Sequence, residues 1–201
     1  MKIPFFDNRE SLRALGFDRF EMVEVADNLI RVQEGIWVDS DLVEWMPAFY
    51  LRNFQQRIAA LYAGVRRRRN RRLLVARKGL RRAIYNIGQV EDFLTRYGFE
   101  TVYLEGMSMR DQILLFQSAE FIVSPHGAGL ASLLFCEPGT KVIELSPPSE
   151  VRPFFWLISE KLELVHGMQF CATVAEGEFE SSIVVDVNKL HALLRMVDAH
   201  F

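Results

Sequence analysis

The residues best suited to chemistry form the turn His126-Gly127-Ala128-Gly129. The apolar run Phe121-Ile122-Val123 predicts a buried strand before it, which stops at Ser124-Pro125 because proline donates no ladder hydrogen bond. A helix is predicted after it, over residues 130–135. Glycine brings backbone N–H groups close to an anion, and a helix N-terminus adds partial positive charge. The turn therefore predicts a phosphate site; the alternative is a tight turn that needs glycine and binds nothing.

Two titratable side chains accompany this turn. The next strand is predicted over residues 141–145, which places Glu144 at the sheet edge that also holds His126. Acidic residues at this edge hold ribose hydroxyls in other Rossmann folds, and that is the role expected of Glu144. Imidazole as a side-chain type titrates near neutrality, so His126 is a candidate base or ligand contact. The alternative is a structural histidine that orients the glycine turn.

Cations follow another predicted strand, residues 73–76. Arg77-Lys78 and Arg81-Arg82 come after it, separated by Gly79-Leu80. If this strand is parallel to the one before His126, the cations meet the same edge of the sheet. The guanidinium fork makes bidentate, charge-assisted hydrogen bonds to phosphate. Arg77, the first residue past the strand, is therefore the predicted phosphate contact; in the alternative, all four cations face solvent.

Length and composition bound the class of protein. The chain has 201 residues, 50% hydrophobic and 25% charged, enough for one domain or for one domain with part of a second. Its two cysteines form no disulfide framework and no metal-binding spacing. Neither a signal peptide nor a membrane-spanning run is evident, so we expect a soluble chain in a reducing compartment, unless a targeting segment lies upstream.

The net charge of −2 hides a basic segment. Residues 66–82 hold ten Lys or Arg and no acid, and the arginine run within them begins at Arg66 and ends at Arg72. Such a run is usually a solvated linker or helix end; the alternatives are a surface for anionic lipid or for nucleic acid. No RNA-binding pattern accompanies it, so nucleic acid is not expected, whereas a peripheral membrane contact stays open.

The remaining pattern alternates strands and helices. Further strands are predicted over residues 101–104, with Glu105 at the carboxyl end, over 162–165 and over 183–185. Helices are predicted over residues 42–63, between Asn86 as N-cap and Gly98 as stop, over 112–119 behind a Ser108 capping box, over 153–162 and over 187–199. The alternation from residue 73 onward predicts an α/β fold, a Rossmann-like parallel sheet with right-handed crossovers. Residues 66–201 form this domain, and residues 1–65 are expected to be part of another.

Several enzyme classes lack their motifs. The chain contains no G-x-S-x-G nucleophile elbow, no G-x-G-x-x-G dinucleotide fingerprint and no Walker A loop. The acidic motif Asp39-Ser40-Asp41 has the D-x-D spacing of a metal–diphosphate site, but no third ligand is evident, and we favour a helix N-cap. What remains is a nucleotide-diphosphate site without an obvious metal.

The segment from about residue 72 to residue 146 resembles the glycosyltransferase family 61 domain. Many spaced residues carry the resemblance: Arg77, Lys78, Arg81, Arg82, Asn86, Gly98-Phe99, Leu104-Glu105, Met107-Ser108, Asp111-Gln112, Ala119, Pro125-His126-Gly127-Ala128-Gly129-Leu130, Leu134-Phe135, Pro138-Gly139 and Val142-Ile143-Glu144-Leu145. Two departures are Ile87, where the family often has Glu, and Ala131-Ser132, where it often has Thr-Asn.

The resemblance implies a GT-B architecture, with a C-terminal nucleotide-sugar domain preceded here by part of an acceptor domain. It implies an inverting, metal-independent transfer from a nucleotide sugar, expected to be UDP-linked, to a glycan or polysaccharide, as in capsular polysaccharide biosynthesis, with no cofactor. His126 is the expected catalytic residue. The donor-binding residues expected are Arg77, Arg81, Arg82, Glu105, Gln112, His126, Gly127, Ala128, Gly129, Leu130 and Glu144.

A second hypothesis is a non-catalytic module of the same fold that binds a nucleotide or a partner chain. The short N-terminal part and the polar groups missing at Ile87 and Ala131 favour it. In either case the chain is expected in the cytoplasm, associated with a membrane if bacterial, and in a secretory lumen only with an upstream targeting segment. A partner chain or a homo-oligomer stays open.

Overall fold

The computed structural model describes residues 48–61, 68–79, 83–150, 152–175 and 181–198. The chain divides into two compact units, residues 1–63 and residues 64–201. In the first unit the described element is helix α1, Ala48–Leu61, which lies within the helix predicted over residues 42–63. Leu51 and Ile58 are buried two turns apart, as on one face of an amphipathic helix. The D-x-D motif at residues 39–41 lies outside the described residues.

The second unit is built on a five-stranded parallel sheet. Its strands are β1 Arg71–Ala76, β2 Phe99–Tyr103, β3 Ala119–Pro125, β4 Lys141–Ser146 and β5 Val165–Phe170. They lie in the order β2-β1-β3-β4-β5, and each neighbouring pair is parallel. The central strands are short apolar runs because both of their faces are buried. The predicted Rossmann-like α/β fold is confirmed.

Helices cover both faces of this sheet. They are α2 Ile87–Thr95, α3 Met109–Gln117, α4 Phe154–Lys161 and α5 Val187–Val197, with 3₁₀ helices at Ala128–Phe135 and Pro148–Glu150. On one face, Val90 and Leu94 of α2 and Leu190 and Leu194 of α5 share a core with Ile143 of β4. The other face carries α3, the longer 3₁₀ helix and α4, which contact one another in sequence.

The strand before the glycine turn is longer than predicted. It continues through Ser124 to Pro125, which is in register with Leu145 of β4. The N–H of His126 donates to the Leu145 carbonyl at 2.8 Å, so the nitrogen of Pro125 faces the β1 side. Pairing with β1 has ended there at Val123. The missing N–H of proline therefore costs no ladder hydrogen bond.

Three other boundaries differ from the predictions. β5 begins at Val165 rather than at residue 162, because Glu163 has φ +60° and turns the chain out of α4 first. Helix α3 begins at Met109, directly after Ser108, whose Oγ accepts the Asp111 N–H at 3.1 Å. The segment predicted as a helix over residues 130–135 is a 3₁₀ helix that begins at Ala128.

The last predicted strand is present but does not join the main sheet. It is β7, Ile183–Val184, which pairs antiparallel with β6, Ala172–Thr173. Asn86 at the start of α2 connects to this region instead of capping its own helix. Its Nδ2 donates to the Val185 carbonyl at 2.9 Å, and its Oδ1 accepts the Val185 N–H at 2.9 Å. The predicted side-chain cap is therefore wrong, because Val185 already satisfies both polar atoms.

Candidate functional site

The strand order creates a crevice at the carboxyl edge of the sheet. The chain leaves β1 toward β2 on one side and leaves β3 toward β4 on the other. The connection after β1 passes through α2, and the connection after β3 passes through the 3₁₀ helix on the opposite face. Loops that diverge from neighbouring parallel strands in this way form the usual ligand site of open α/β sheets. Arg77 follows β1, and His126 follows β3.

The structure brings Arg77 and the glycine turn together. A Cβ built on Gly127 would lie 3.2 Å from Nη1 and 3.5 Å from Cζ of Arg77. Gly127 has φ +154° and ψ 179°, a backbone region that is accessible essentially to glycine only. Gly127 is thus fixed both by its backbone and by the guanidinium against it, and a predicted cation meets the predicted turn.

Backbone donors at this turn fall into two groups. The Leu130 N–H donates to the Gly127 carbonyl at 2.9 Å, and the Leu130 side chain is fully buried. Within the part of the chain that is described, the N–H groups of Ala128 and Gly129 make no hydrogen bond. Ala128 is exposed and Gly129 partly so. The donors available to an anion are therefore those of Ala128 and Gly129, whereas the predicted Leu130 contact finds its N–H already engaged.

His126 and Glu144 form a buried pair at the foot of the crevice. Nδ1 of His126 is hydrogen-bonded to Oε1 of Glu144, and the Glu144 side chain is 0% exposed. The ring of Phe155 on α4 lies against the His126 ring, with centroids 5.1 Å apart. The His126 side chain keeps 10% of its surface exposed, and its Nε2 has no hydrogen-bond partner among the described residues. One face of the imidazole is thus fixed, and one nitrogen is left for a ligand.

A second histidine completes the environment of Glu144. Its Oε2 is 3.1 Å from Nε2 of His166 on β5, and Nδ1 of His166 is 2.8 Å from Oγ of Ser159 on α4. Burial alone would raise the pKa of Glu144, but the hydrogen bonds from His126 and His166 outweigh burial and hold this pKa below its ordinary value. Because the Glu144 side chain is 0% exposed and both oxygens accept a hydrogen bond from a histidine, it does not face a ribose hydroxyl in the crevice.

Another carboxylate at this edge has an oxygen to spare. Glu105, two residues past β2, accepts the backbone N–H of Lys78 with Oε1 at 3.0 Å. Its Oε2 is buried and, among the described residues, has no hydrogen-bond partner. A buried carboxylate oxygen without a donor is costly unless a ligand or water supplies one. Glu105 is therefore better placed than Glu144 to accept a ligand hydroxyl.

The other expected donor-binding residues are Gln112, Arg81 and Arg82. Gln112 links α3 to its neighbours: Nε2 donates to the Met107 carbonyl at 3.3 Å, and Oε1 is 3.5 Å from Oγ of Ser132. Arg81 and Arg82 lie outside the described residues. Sequence reasoning missed His166, Ser159 and Phe155. No strand pattern marked His166, because the chain turns at Glu163 and the predicted strand stopped one residue before the histidine.

Among the described arginines of the run, Arg69, Arg71 and Arg72 lie at the opposite, amino edge of the sheet. Arg69 donates to the Pro138 carbonyl at 2.7 Å, Arg71 pairs with Glu100 at 2.5 Å, and Arg72 pairs with Glu120 at 2.6 Å. These three charges therefore make contacts within the unit. A membrane contact through residues 66–72 stays a prediction. No helix in the described ranges combines the length and the apolar composition that crossing a bilayer would require.

Comparisons with known proteins agree on one family. The sequence model of the family Glycosyltransferase 61 matches residues 6–143, more than half of the chain. A beta-1,2-xylosyltransferase of Arabidopsis thaliana is 36% identical over 86 residues, which are 41% of this chain and 16% of that protein. Beta-1,2-xylosyltransferase RCN11 of Oryza sativa subsp. japonica is 42% identical over 53 residues, 26% of this chain and 10% of that protein. The chain therefore spans only a small part of the length of each relative. The family model, in contrast, matches more than half of the chain, and the chain belongs to glycosyltransferase family 61.

Proposed function

We propose that the crevice between β1 and β3 binds a nucleotide-diphosphate sugar, and that the chain takes part in transferring this sugar to a glycan acceptor. The observation that carries the proposal is the close approach of the Arg77 guanidinium to Gly127. The two residues lie at the switch point of the sheet, where the chain leaves the neighbouring strands β1 and β3 in opposite directions. Family membership supports the reaction class, and the two relatives named as xylosyltransferases favour xylose as the sugar.

The proposed binding mode assigns one group to each part of the donor. Arg77 and the N–H groups of Ala128 and Gly129 bind the diphosphate, because fixed donors and a guanidinium stabilise its charge without reorganisation. The free Oε2 of Glu105 accepts a ribose hydroxyl. Glu144 supports His126 rather than the ribose, since its side chain is fully buried and both oxygens accept a hydrogen bond from a histidine.

The proposed transfer is inverting and needs no metal, with a UDP-linked donor. Nε2 of His126 takes the proton of the acceptor hydroxyl, whose oxygen bonds to the anomeric carbon from the side opposite the diphosphate. The bond between that carbon and the diphosphate oxygen breaks, and the diphosphate leaves with the electron pair. Arg77 stabilises the charge that develops on it. Glu144 stabilises the imidazolium that forms.

Nucleotide binding is the direct test. We expect UDP or a UDP-sugar to raise Tm by about 5 to 10 °C at a ligand concentration near 100 Kd, since linkage then contributes about 2.7 kcal/mol. Arg77→Ala should weaken binding about 10- to 100-fold, the value of a charge-assisted phosphate contact. Arg195→Ala is the matched control, because Arg195 is exposed on α5 on the other face of the sheet; it should bind like the unmodified chain.

Two outcomes would change the proposal. If UDP, GDP and CMP and their sugars all leave Tm of the folded chain unchanged, the donor site does not exist in this chain. If a nucleotide sugar binds but no nucleotide is released in the presence of glycan acceptors, the chain is a binding module of the same fold. Release that disappears in both Arg77→Ala and His126→Ala would support the transferase.

A further inference from the structure

Four polar side chains form a continuous hydrogen-bonded series beneath the candidate site. The series runs from His126 through Glu144 and His166 to Ser159, and it connects β3, β4, β5 and α4. Glu144 is 0% exposed, the side chain of His166 is 4% exposed, and Ser159 is buried. Polar groups buried this deeply are retained only when each has a partner. The proposed function uses the first two members and leaves His166 and Ser159 without a role.

The proton positions follow from the chemistry of the carboxylate. The lowered pKa of Glu144 keeps it ionised at neutral pH, and an ionised carboxylate only accepts hydrogen bonds. Nδ1 of His126 and Nε2 of His166 must therefore both carry hydrogen. A neutral His166 then has an acceptor at Nδ1, and the Ser159 hydroxyl, 2.8 Å away, donates to it. The position of each hydrogen in the series is thus determined by the neighbouring side chain.

We infer that His166 and Ser159 are positioning residues, which act through Glu144 to hold His126 as the tautomer protonated at Nδ1, with the Nε2 lone pair directed to the crevice. Without the donor from His166, the buried Glu144 retains one partner, and burial favours its protonated form. A Glu144 carboxyl that takes a proton from solvent donates a hydrogen bond to Nδ1 of His126; the imidazole hydrogen then lies on Nε2, and the Nε2 lone pair is lost. The ionised Glu144 and the second donor, His166, thus prevent the wrong tautomer.

Among the described residues, three titratable or charged groups face His126 or the turn beside it. They are Glu144 on β4, His166 behind it on β5, and the Arg77 guanidinium, which lies against the neighbouring Gly127. Helix α4 presents the uncharged ring of Phe155. The tautomer of His126 therefore depends on Glu144, and the state of Glu144 depends on His166. The base role of His126 rests on the proposed function, whereas its tautomer does not.

Long-range ¹H–¹⁵N spectra of the chain labelled with ¹⁵N-histidine measure this tautomer directly. The chain has four histidines, so substitution assigns each signal. At mildly alkaline pH we expect His126 with its hydrogen on Nδ1. In His166→Leu the ratio of the Nδ1–H to the Nε2–H tautomer should fall about tenfold, the value of one hydrogen bond to a charged group. His166→Gln retains an N–H donor for Glu144, and its ratio should stay within about twofold of the unmodified chain.

His191→Leu is the matched control. His191 is hydrogen-bonded to the Tyr97 hydroxyl at 3.1 Å and belongs to the opposite face of the sheet, so its loss should leave the His126 ratio unchanged. The inference is overturned if unmodified His126 carries its hydrogen on Nε2, or if folded His166→Leu keeps the original ratio. If His166→Leu does not fold, Ser159→Ala decides: a fall in the ratio supports the series, and an unchanged ratio overturns it.

This measurement is independent of the nucleotide. Loss of all nucleotide binding would overturn the proposed function and leave the tautomer result standing. In the opposite case, UDP binding with His126 in the Nε2–H form would support the donor site and overturn the positioning role.

Discussion

Gly127 carries two constraints at one residue. Its backbone lies in a region that a Cβ makes costly, and a Cβ there would lie only 3.2 Å from Nη1 of Arg77. We predict that Gly127→Ala lowers the free energy of unfolding by about 1–3 kcal/mol. It should also weaken UDP binding, because the guanidinium must move by a few tenths of an ångström. Urea unfolding and a nucleotide titration of the same variant measure the two effects.

Gly98→Ala separates the two constraints. Gly98 follows α2 with φ +76°, and nothing lies within 4 Å of a Cβ built there. This substitution should cost about 1 kcal/mol in backbone strain and leave UDP binding unchanged. Equal losses of binding in Gly98→Ala and Gly127→Ala would show that the guanidinium contact is not what matters.

At the residue scale, the sequence predicted which side chains lie at the carboxyl edge of the sheet, but not which side chains they are hydrogen-bonded to. Arg77 directly follows a recognisable strand, and the glycine turn follows another, so their meeting at one edge could be expected from two local patterns. The partner of Glu144 on its second oxygen is His166, 22 residues later on a strand whose start was misplaced. A carboxylate near the end of a strand has the same sequence pattern whether it faces a ligand or two histidines.

At the scale of elements, Glu144 makes the stability of β4 depend on pH. Its pKa in the folded chain lies below the ordinary value of 4.5, so its contribution is fully present above the unfolded pKa and is lost as pH falls through the folded pKa. We predict that the free energy of unfolding decreases below about pH 5 more steeply than in Glu144→Gln. Denaturant unfolding between pH 7 and pH 3 measures both slopes. A Glu144→Gln variant with the same slope would contradict the prediction.

Arginines at the amino edge of the sheet connect neighbouring strands and helices through ion pairs and hydrogen bonds. Arg72 pairs with Glu120 and donates to the Tyr97 carbonyl at 2.8 Å, thereby connecting β1, β3 and the end of α2. We predict that Arg72→Ala lowers the free energy of unfolding by about 1 kcal/mol, a value limited by the partial exposure of the pair. The exposed Arg68 is the control, and Arg68→Ala should change stability by less than about 0.5 kcal/mol. Equal effects would contradict a structural role for Arg72.

Whether a segment is a strand or a helix was predictable where its own residues show the apolar spacing of that element. The central strands are apolar runs, and α5 has its apolar residues at helical spacing, so both follow from local pattern. β5 was misplaced because its sequence, Val-His-Gly-Met-Gln-Phe, has neither alternation nor a continuous apolar run. Its strand conformation depends on pairing with β4, from Lys141–Val165 to Ser146–Phe170.

At the scale of the whole molecule, the parallel sheet followed from the alternation of elements, but the order of its strands did not. The apolar pattern records which segments are buried and does not record which neighbours they have. The order β2-β1-β3-β4-β5 places the switch point between β1 and β3, and this placement makes Arg77 and His126 neighbours. The matches to the plant xylosyltransferases cover at most 16% of those proteins.

The connection between α2 and the β7 region has a consequence for synthesis. Ile84 bridges to Ile183, and Asn86 is hydrogen-bonded to Val185, across 99 residues of chain in each case. Cys171, Ile183 and Val185 also belong to the core beneath α2. On a translating ribosome, α2 emerges long before these partners, and its apolar side chains lack this part of their core until residue 185 has left the exit tunnel. During those seconds the nascent chain is a natural client for a chaperone.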